Sequence, residues 1–493
     1  MNTATDHPAD PLTTSAVADS TPAEVTAACS AAADAAAEFG GSLRSQRSAF
    51  LNELANELEQ DREALEGAAA RETSLAASRL SIELARTARQ ARLFAEVLDD
   101  GGYLEAAIDH ATATTPDTRL TRIPLGPVAV LGAGNFPLAF GVPGGDTVSA
   151  LAAGCPVVVK VHPGHPHTSQ LAFEAIQLAA TKSGMPPGTI ALVSGMEAGR
   201  NLVMDPNIQA VGFTGSTTAG RILFDLASSR PSPIPFYGEL GSLNPLVVTA
   251  AAAGARPRGI AAQLASSITS SAGQLCTKPG LIFIPYEAGD ALVASLAEAV
   301  RTAPALAMLN EGIKHRFNDS VEDWNAAGAV SVLVDSQQGG PAGAHLVSVD
   351  IGRLTGPLLE EAFGPAAVIV RYNTQQQVVS TLRSLGGQLT TTLLCEEAET
   401  DGLRPIAQAM TSRSGRLVFN DMPTGVATSW SMTHGGPYPA TTNSGHTSVG
   451  SAAIKRWLRP VTYQNAPDTL LPLELREESC GIPRRLNGSM TRY

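Results

Sequence analysis

The stretch "SSAGQLCTKPG" (residues 270–280) places Cys276 among small residues, with Lys278 two positions further on. A cysteine acts as a nucleophile in its thiolate form, which needs a helix start, a nearby cation or a base. Small neighbours leave room for a substrate. Because an isolated cysteine in such a stretch is more often a packing residue, this segment alone favours packing.

Two further side chains could assist a cysteine nucleophile. Glu239, in "YGELGSLNP", stands among small and apolar residues. Such surroundings tend to raise the pKa of a carboxyl group and suit a general base, although a structural glutamate is the alternative. Asn135, in "LGAGNFP", follows a predicted strand. Doubly wound folds bind ligands at that end of a strand, and an ordinary Asx turn is the alternative.

The segments that could bind a cofactor are individually weak. "LGAGNFP" lacks the third glycine of a dinucleotide fingerprint, because Pro137 stands there. "GFTGSTTAG" (212–220) follows a predicted strand and begins a helix, so its backbone N–H groups could hold a pyrophosphate, with Gly215 permitting close approach. Lys160 ends another predicted strand, where it could meet a ribose or phosphate or remain solvated.

The histidines of "VHPGHPHTS", which are His162, His165 and His167, do not form a favourable metal site. Proline and glycine separate them, so they share no helical face, and the segment contains neither cysteine nor carboxylate. We therefore predict no metal.

The elements that must position these residues follow from the hydrophobic pattern. Thr21, Pro22 and Glu24 form a predicted capping box that begins a helical region reaching about Leu98. From Pro127, uniformly apolar strands alternate with helices, which predicts a parallel sheet covered on both faces and a Rossmann-like unit. A second alternating set begins near residue 244 and predicts a second α/β domain.

Composition restricts the class of protein. With 493 residues, the chain is long enough for two or three structural units, and a net charge of −12 disfavours nucleic acid and anionic membranes as partners. An anionic substrate would need a local cation against that field. Five scattered cysteines, no signal-like N-terminus and no long apolar run predict a cytoplasmic protein without a membrane span.

The order of the motifs is more specific than any one of them. "GNFP", "VVVKVHP", "GFTGS", "ELGS", "GQLC" and "EEAFGP" succeed one another as in the aldehyde dehydrogenase superfamily, which the chain resembles over nearly its whole length. The stretches 135–169 and 434–460 are similar to those of the 2-oxoglutarate semialdehyde (2,5-dioxopentanoate) dehydrogenases.

The resemblance implies a mechanism. Cys276 attacks the aldehyde, while the Asn135 amide and the Cys276 N–H stabilise the oxyanion of the thiohemiacetal. Hydride transfer leaves a thioester, and Glu239 activates the water that hydrolyses it. The implied reaction is NAD(P)-dependent oxidation of 2,5-dioxopentanoate to 2-oxoglutarate. Alternatives are another semialdehyde or aliphatic aldehyde, CoA-dependent acyl transfer, and a non-catalytic NADP-binding protein.

The resemblance also implies a cofactor site and a substrate site. Lys160 would face the adenosine ribose, Gly215 and Ser216 the pyrophosphate, and Glu361 the nicotinamide ribose, with Phe363 near that ring. Candidates for the substrate carboxylate are Ser431, Thr433 and His434.

One departure from the family pattern bears on the cofactor. NAD-preferring relatives commonly carry a glutamate three residues after the equivalent of Lys160, where this chain has Pro163. Without that carboxylate, Lys160 and His162 could attract a 2′-phosphate, so we predict NADP as the preferred cofactor and NAD as a second one.

The implied fold is an α/β, aldehyde dehydrogenase-like one, with a Rossmann-like cofactor domain, a second α/β catalytic domain and a small β oligomerisation element. The predicted division is a disordered tail (1–20), the NAD(P)-binding domain (21–108 and 126–243), the catalytic domain (244–450), the oligomerisation element (109–125 and 451–475) and a C-terminal tail (476–493). A homodimer or homotetramer joined through that element is expected from the family.

Overall fold

The computed structural model describes residues 17–327, 330–335, 343–478 and 481–491. Its α-helices are α1 (Pro22–Gly41), α2 (Arg44–Gln60), α3 (Arg62–Thr73), α4 (Ala77–Asp100), α5 (Gly145–Ala153), α6 (Pro166–Lys182), α7 (Met196–Met204), α8 (Thr217–Ser229), α9 (Ala250–Ala255), α10 (Pro257–Thr269), α11 (Asp290–Arg301), α12 (Glu311–Ala326), α13 (Gln375–Ser384) and α14 (Arg404–Thr411).

The β-strands are β1 (Ala107–Asp109), β2 (Thr118–Pro124), β3 (Val128–Leu131), β4 (Val157–Lys160), β5 (Ile190–Val193), β6 (Ala210–Thr214), β7 (Phe236–Glu239), β8 (Leu246–Val248), β9 (Leu281–Pro285), β10 (Ser331–Val334), β11 (His345–Asp350), β12 (Ala366–Tyr372), β13 (Gln388–Leu394), β14 (Ser414–Phe419), β15 (Leu458–Gln464), β16 (Arg484–Leu486) and β17 (Ser489–Thr491).

The N-terminal helices begin as the sequence predicts. The side chain of Thr21 accepts a hydrogen bond from the N–H of Glu24, whose carboxylate accepts one from the N–H of Thr21. Helix α1 ends at Gly41, the second glycine of "FGGS" (39–42). The predicted disordered tail is wrong at its end, because Ser20 donates its N–H to the carbonyl of Ser194 (2.8 Å). The rest of that prediction, residues 1–16, lies outside the described residues.

The first sheet has the order β5-β4-β3-β6-β7 and is parallel throughout. Its central strand β3, "VAVL", is buried at all four residues. Helices cover both faces, because apolar side chains emerge from both sides of each strand. The strand order reverses between β3 and β6, and in such folds the crevice beyond the strand ends at that point binds the ligand. The predicted Rossmann-like unit is confirmed.

The second sheet has the order β10-β11-β12-β9-β8-β13-β14, with only the β10–β11 pair antiparallel among these strands. It is the predicted second α/β unit. Strands β8, β9, β12 and β14 contain apolar runs of that alternating set. The pattern did not reveal β11 or β13, although both lie inside the sheet.

The third sheet has the order β15-β2-β1-β16-β17. It unites strands from 107–124 with strands from 458–464 and 484–491. The prediction of a C-terminal tail over 476–493 is therefore wrong for 484–491, where β16 pairs in parallel with β1. Short strands with few apolar residues left no visible pattern in the sequence.

Candidate active site

The predicted catalytic residues come from three loops that meet between the first two sheets. Asn135 follows β3, Glu239 ends β7 and Cys276 lies in the loop before β9. A fourth side chain, His434, enters from the segment after β14. Since β3 and β7 belong to the same parallel sheet, their carboxyl ends lie at one edge of it.

The loop that carries Cys276 has an unusual backbone. Ser271, Ala272 and Gly273 all have positive φ angles, of 53°, 52° and 65°. A Cβ atom at Gly273 would lie 2.2 Å from the carbonyl oxygen of Gly364, so glycine is required there. Positive φ at two non-glycine residues stores strain, a feature that clusters at functional sites.

The side chain of Asn244 fixes the loop that carries Cys276 through hydrogen bonds to its backbone. Its Nδ2 donates to the carbonyl of Cys276 (2.8 Å) and to that of Lys278 (3.0 Å). Asn244 has a left-handed φ of 47°, which asparagine tolerates well. The neighbouring Ser242 is buried and donates its hydroxyl to Oδ1 of Asn244 (2.8 Å).

Cys276 is partly exposed, whereas Cys29, Cys155 and Cys395 are buried. Its Sγ lies 3.5 Å from Nε2 of His434. Burial raises the pKa of the Cys276 thiol well above its usual range, and the negative charges of Glu239 and Glu361 raise it further. Arg416 and Arg86 oppose this shift. The thiol is therefore mainly protonated near neutral pH and needs a base.

Glu239 is buried, with 4% of its surface exposed. Burial acts to raise its pKa, but the imidazole of His434, whose Nε2 lies 2.8 Å from Oε1, and the hydroxyl of Ser448 lower it below the usual range. The expected raised pKa of this carboxyl group is therefore wrong. The groups that stabilise its charge arrive from about residue 440 and were not apparent in the local sequence.

Asn135 lies at the end of the first sheet, as predicted, and does not form a simple Asx turn. Its Nδ2 donates to the carbonyl of Gln274 (2.9 Å), two residues before Cys276. The main-chain carbonyl of Asn135 accepts a hydrogen bond from Nη2 of Arg79 (2.6 Å). The amide is thus fixed beside the nucleophile loop, with a second N–H of Nδ2 available to another acceptor.

Lys278, two residues after Cys276, is neither a cation acting on the thiol nor a solvated side chain. It is buried, its Nζ donates to the carbonyl of Ala366 (2.6 Å), and its charge acts on Glu361. Burial lowers the pKa of Lys278 to about 8, against the opposing effect of Glu361. Burial raises the pKa of Glu361 to about 7, and Lys278 opposes this. Lys278 is therefore the partner of Glu361 rather than of the thiol.

Of the predicted cofactor residues, Lys160, His162, Gly215 and Ser216 lie at or just after the carboxyl ends of β4 and β6, whereas Glu361 and Phe363 lie in the segment before β12. Lys160 ends β4, and Ser216 is the N-cap of α8, where its hydroxyl accepts from the N–H of Ala219. Gly215 donates its N–H to the carbonyl of Glu239 (3.1 Å), which links this loop to the candidate catalytic carboxylate. Phe363 is partly buried in the segment before β12.

The surroundings of His162 disfavour its charged form. Burial, together with the positive charges of His165 and Lys160, lowers its pKa to about 3. Its Nδ1 accepts a hydrogen bond from the N–H of Gly164 (3.0 Å), and its ring stacks on that of His165. His162 is therefore neutral near neutral pH, so its predicted contact with a 2′-phosphate would be a hydrogen bond rather than an ion pair, and that contact stays a prediction.

The three residues predicted to bind the substrate carboxylate differ in their exposure to solvent. Ser431 and Thr433 are exposed, whereas His434 is completely buried. His434 contacts Glu239 and Cys276 instead of standing free for a carboxylate. The resemblance drew attention to this segment, but the contacts of the imidazole depend on tertiary structure.

Other polar residues of the site were missed. Ser448 donates its hydroxyl to Oε2 of Glu239 (2.6 Å). Arg86, on α4, and Arg416, on β14, each act electrostatically on Cys276. Within the described residues, Nη2 of Arg86 and Nε of Arg416 are buried and have no hydrogen-bond partner. A serine and two arginines in ordinary amphipathic segments left no signal in the sequence.

Comparison with known proteins agrees with this arrangement. Residues 2–459 match the aldehyde dehydrogenase family. The chain belongs to that family. It is an NAD(P)-dependent aldehyde oxidoreductase, and no helix among its described residues is long and apolar enough to cross a membrane.

Two curated relatives are similar over almost the entire length of this aldehyde dehydrogenase. An alpha-ketoglutaric semialdehyde dehydrogenase of Acinetobacter baylyi is 40% identical over 95% of this chain and 91% of its own. Alpha-ketoglutaric semialdehyde dehydrogenase 2 of Azospirillum brasilense is 42% identical over 94% of this chain and 91% of its own.

Solved structures agree on the fold. A 1-pyrroline-5-carboxylate dehydrogenase from Thermus with bound NAD is 19% identical, with a TM-score of 0.79 over 91% of this chain and 86% of that one. Methylmalonate-semialdehyde dehydrogenase from Oceanimonas doudoroffii is 20% identical, with a TM-score of 0.78 over 90% of this chain and 91% of that one. At such identities the likeness concerns the fold alone.

Proposed function

We propose that this aldehyde dehydrogenase oxidises 2,5-dioxopentanoate (2-oxoglutarate semialdehyde) to 2-oxoglutarate. The observation that carries the proposal is the similarity, at 40% and 42% identity and over more than nine-tenths of each chain, to two enzymes named for this substrate. The candidate site supports it, because a cysteine, a glutamate and an asparagine amide lie together at the ends of β3, β7 and the loop before β9.

In this proposal Cys276 is the nucleophile and forms a bond from Sγ to the aldehyde carbon. The oxygen of that aldehyde then carries negative charge, which the free N–H of the Asn135 amide and the N–H of Cys276 stabilise. The hydrogen bond from Asn135 to the Gln274 carbonyl fixes the amide before the reaction, so little reorganisation is needed.

Glu239 serves the second half of the reaction, which hydrolyses the thioester on Cys276. Its carboxylate is ionised near neutral pH, because His434 and Ser448 stabilise the charge against burial. A buried carboxylate beside the thioester can remove a proton from water as that water attacks. The lowered pKa keeps Glu239 ionised near neutral pH, but it also makes this carboxylate a weaker base.

The crevice at the ends of β3, β4 and β6 fits a dinucleotide. Helix α8 begins directly after β6, so N–H groups of its first turn can hold a pyrophosphate, and Gly215 permits close approach. Lys160 ends β4, which lies two strands away from β6 in the same sheet. NAD(P), when bound, supplies the oxidant that accepts the aldehyde hydrogen as hydride. Glu361 and Phe363 are proposed to face the nicotinamide end.

We propose NADP as the preferred cofactor and NAD as a second one. Pro163 is exposed and offers no carboxylate to repel a 2′-phosphate, and Lys160 supplies positive charge. Asp19 interacts electrostatically with Lys160, which weakens this preference and accounts for dual use.

The substrate is an anion in a protein whose net charge is −12, so it needs local cations. Arg86 and Arg416 are proposed for this role. Both act electrostatically on Cys276, and each has a buried guanidinium nitrogen that lacks a hydrogen-bond partner within the described residues. A carboxylate bound there would satisfy these donors and place the aldehyde end toward the nucleophile.

The test is kcat/KM for 2,5-dioxopentanoate, succinate semialdehyde and a neutral aldehyde, each with NAD and with NADP. We expect the five-carbon oxo-acid aldehyde to be the best substrate, Cys276→Ala to be inactive, and Asn135→Ala to lose about 10²–10³ in rate. A preference for the neutral aldehyde contradicts the substrate. Turnover that requires CoA contradicts hydrolysis.

We also propose that the enzyme is a homodimer or homotetramer joined through the third sheet. β15 forms one edge of that sheet, and several of its residues are exposed. An exposed edge strand can pair with another chain. Light scattering during size-exclusion chromatography gives the molar mass; a monomer contradicts the proposal.

A further inference from the structure

Two charged residues of α4 contact the segment that carries the Asn135 amide. Arg79 and Glu83 lie one helical turn apart, with 3.7 Å between Nη2 of Arg79 and Oε2 of Glu83. Their side chains are 19% and 2% exposed. A buried ion pair contributes little net stability, because the loss of hydration offsets the attraction between the charges. The contacts that this pair makes with the neighbouring segment therefore point to its role.

Glu83 holds the backbone shortly after Asn135. Its Oε1 accepts hydrogen bonds from the N–H groups of Leu138 and Ala139, at 2.9 Å each. Pro137, directly before them, has no N–H to offer. Leu138 and Ala139 are buried, and buried N–H groups need a partner. The carboxylate of Glu83 supplies that partner and so fixes the direction of the chain at this point.

Arg79 holds the other end of the same segment. Its Nη2 donates to the main-chain carbonyl of Asn135 (2.6 Å). Its guanidinium also lies over the ring of Phe136, with 4.6 Å from Cζ to the ring centroid. Because Arg79 and Glu83 belong to one helix, the two points at which they hold residues 135–139 have a fixed separation.

The Asn135 amide is sensitive to the position of this backbone. Its Nδ2 donates one N–H to the carbonyl of Gln274 (2.9 Å), which leaves the second N–H for the substrate oxygen. A donor stabilises a developing oxyanion when it lies about 2.7–3.1 Å from that oxygen. A displacement of about 1 Å can cost about 10²-fold in rate. The main chain at residue 135 must therefore be held accurately.

We propose that Arg79 and Glu83 are positioning residues for the oxidation, which hold the main chain of residues 135–139 so that the Asn135 amide meets the oxyanion. Neither side chain is assigned a contact with substrate or cofactor, and both act through Asn135. The inference rests on the proposed function, in which the Asn135 amide stabilises the negative charge of the thiohemiacetal.

Two conservative variants weaken these contacts from opposite sides. Arg79→Lys keeps a positive charge near Glu83 but lacks the planar fork of donors that serves the carboxylate and the Asn135 carbonyl together. Glu83→Gln keeps the length of the side chain and an acceptor oxygen. Its neutral amide accepts weaker hydrogen bonds from Leu138 and Ala139 than a carboxylate does.

The test is a double-mutant cycle on the single-turnover rate of NADPH formation, with enzyme in excess over 2,5-dioxopentanoate and with saturating NADP. This rate reports the half of the reaction in which the oxyanion forms. We expect Arg79→Lys and Glu83→Gln each to lower it about 10–100-fold. In Asn135→Ala, which already lacks the amide, each should lower it less than about twofold.

Arg92→Gln is the matched control. Arg92 belongs to the same helix and also forms an ion pair, with 2.6 Å between its Nη1 and Oε1 of Glu59. Its hydrogen bonds within the described residues go to Glu59 and Asn56. The rate should stay unchanged in this variant. Equal losses for Arg79→Lys or Glu83→Gln with and without the Asn135 amide overturn the proposal, and so does a full rate in both variants.

The dissociation constant for NADP separates positioning from damage to the fold. It should be unchanged in Arg79→Lys and Glu83→Gln, because the predicted cofactor residues follow β4 and β6. If Glu83→Gln misfolds, Arg79→Lys decides, since Arg79 is the more exposed of the two. Loss of NADP binding in both variants assigns them a structural role and overturns the proposal. The proposed function fails separately: a full rate in Asn135→Ala alone contradicts its oxyanion role.

Discussion

The hydroxyl of Ser448 donates a hydrogen bond of 2.6 Å to Oε2 of Glu239. Both residues are buried, and 209 positions separate them in the chain. A hydrogen bond to an ionised carboxylate stabilises the charged form. This contact, together with that of His434, explains why the carboxylate stays ionised although burial favours the neutral form.

We predict that Ser448→Ala raises the pKa of Glu239. The fraction of ionised base then falls at acidic pH, so the acid limb of the steady-state kcat profile moves to higher pH. Activity at the acid end should fall by up to about tenfold for each pKa unit gained. The pH dependence of kcat, measured with saturating aldehyde and NADP, gives the shift.

Ser451→Ala is the control for that change. The Ser451 hydroxyl donates to the carbonyl of Trp430 (3.0 Å) and makes no hydrogen bond with Glu239. Its profile should match that of the unmodified enzyme. An unshifted acid limb in Ser448→Ala would show that Glu239 does not limit the reaction at low pH.

We predict a pH-dependent loss of stability in Lys278→Met. The folded-state pKa of Glu361 is raised to about 7, so protonation stabilises the folded state as the pH falls below that value. Without Lys278, an ionised Glu361 is a buried charge with its main cation removed, and breaking such a pair costs about 3–5 kcal/mol. The loss should be largest at about pH 8.5 and smaller at about pH 5.5.

Denaturant unfolding at those two pH values measures the effect. Lys314→Met is the control, because Lys314 pairs with the exposed Glu311 at 3.7 Å, and exposed ion pairs contribute little. An equal loss for Lys278→Met at both pH values would mean that Glu361 does not carry the uncompensated charge.

Local signals in the sequence identify the helix starts and the apolar strands. Thr21 and Glu24 lie three residues apart, so their reciprocal hydrogen bonds depend on nothing distant. The strand "VVVK" is apolar because both faces of its sheet are covered. β13, "QLTTTLL", is equally buried but contains three threonines, so its polarity concealed a central strand.

The site is less predictable, because its electrostatics come from residues remote in the chain. Glu239 has apolar neighbours in sequence, yet His434 and Ser448 reverse the expected direction of its pKa shift. Lys278 follows Cys276 by only two positions in the sequence, yet its charge acts on Glu361. Residue types and motif order predict which groups take part, whereas only the fold shows which groups contact one another.

We predict that Asp19→Asn shifts the cofactor preference toward NADP. The carboxylate of Asp19 interacts electrostatically with Lys160, so removing its charge leaves that lysine free to attract a 2′-phosphate. The ratio of kcat/KM with NADP to that with NAD should rise about tenfold, roughly the effect of 1.4 kcal/mol. Asp34→Asn, on α1, is the control and should leave the ratio unchanged. An unchanged ratio in Asp19→Asn would place the 2′-phosphate away from Lys160.

We predict that Arg416→Gln selectively weakens turnover of the oxo-acid aldehyde. The Nε of Arg416 is buried without a partner among the described residues, and removing a charged donor to a carboxylate commonly costs about 1.5–3 kcal/mol. We expect kcat/KM for 2,5-dioxopentanoate to fall about 10–100-fold, while that for a neutral aldehyde of the same length changes little.

Arg86→Gln should act in the same direction, because Arg86 flanks the same nucleophile from α4. Arg89→Gln is the control for it, since Arg89 is exposed on that helix one turn further along. The comparison of charged and neutral substrates separates recognition from damage to the nucleophile, which would lower both values together. Equal losses on both aldehydes would exclude the arginines from recognition of the carboxylate and leave them the role of moderating the charge around Cys276.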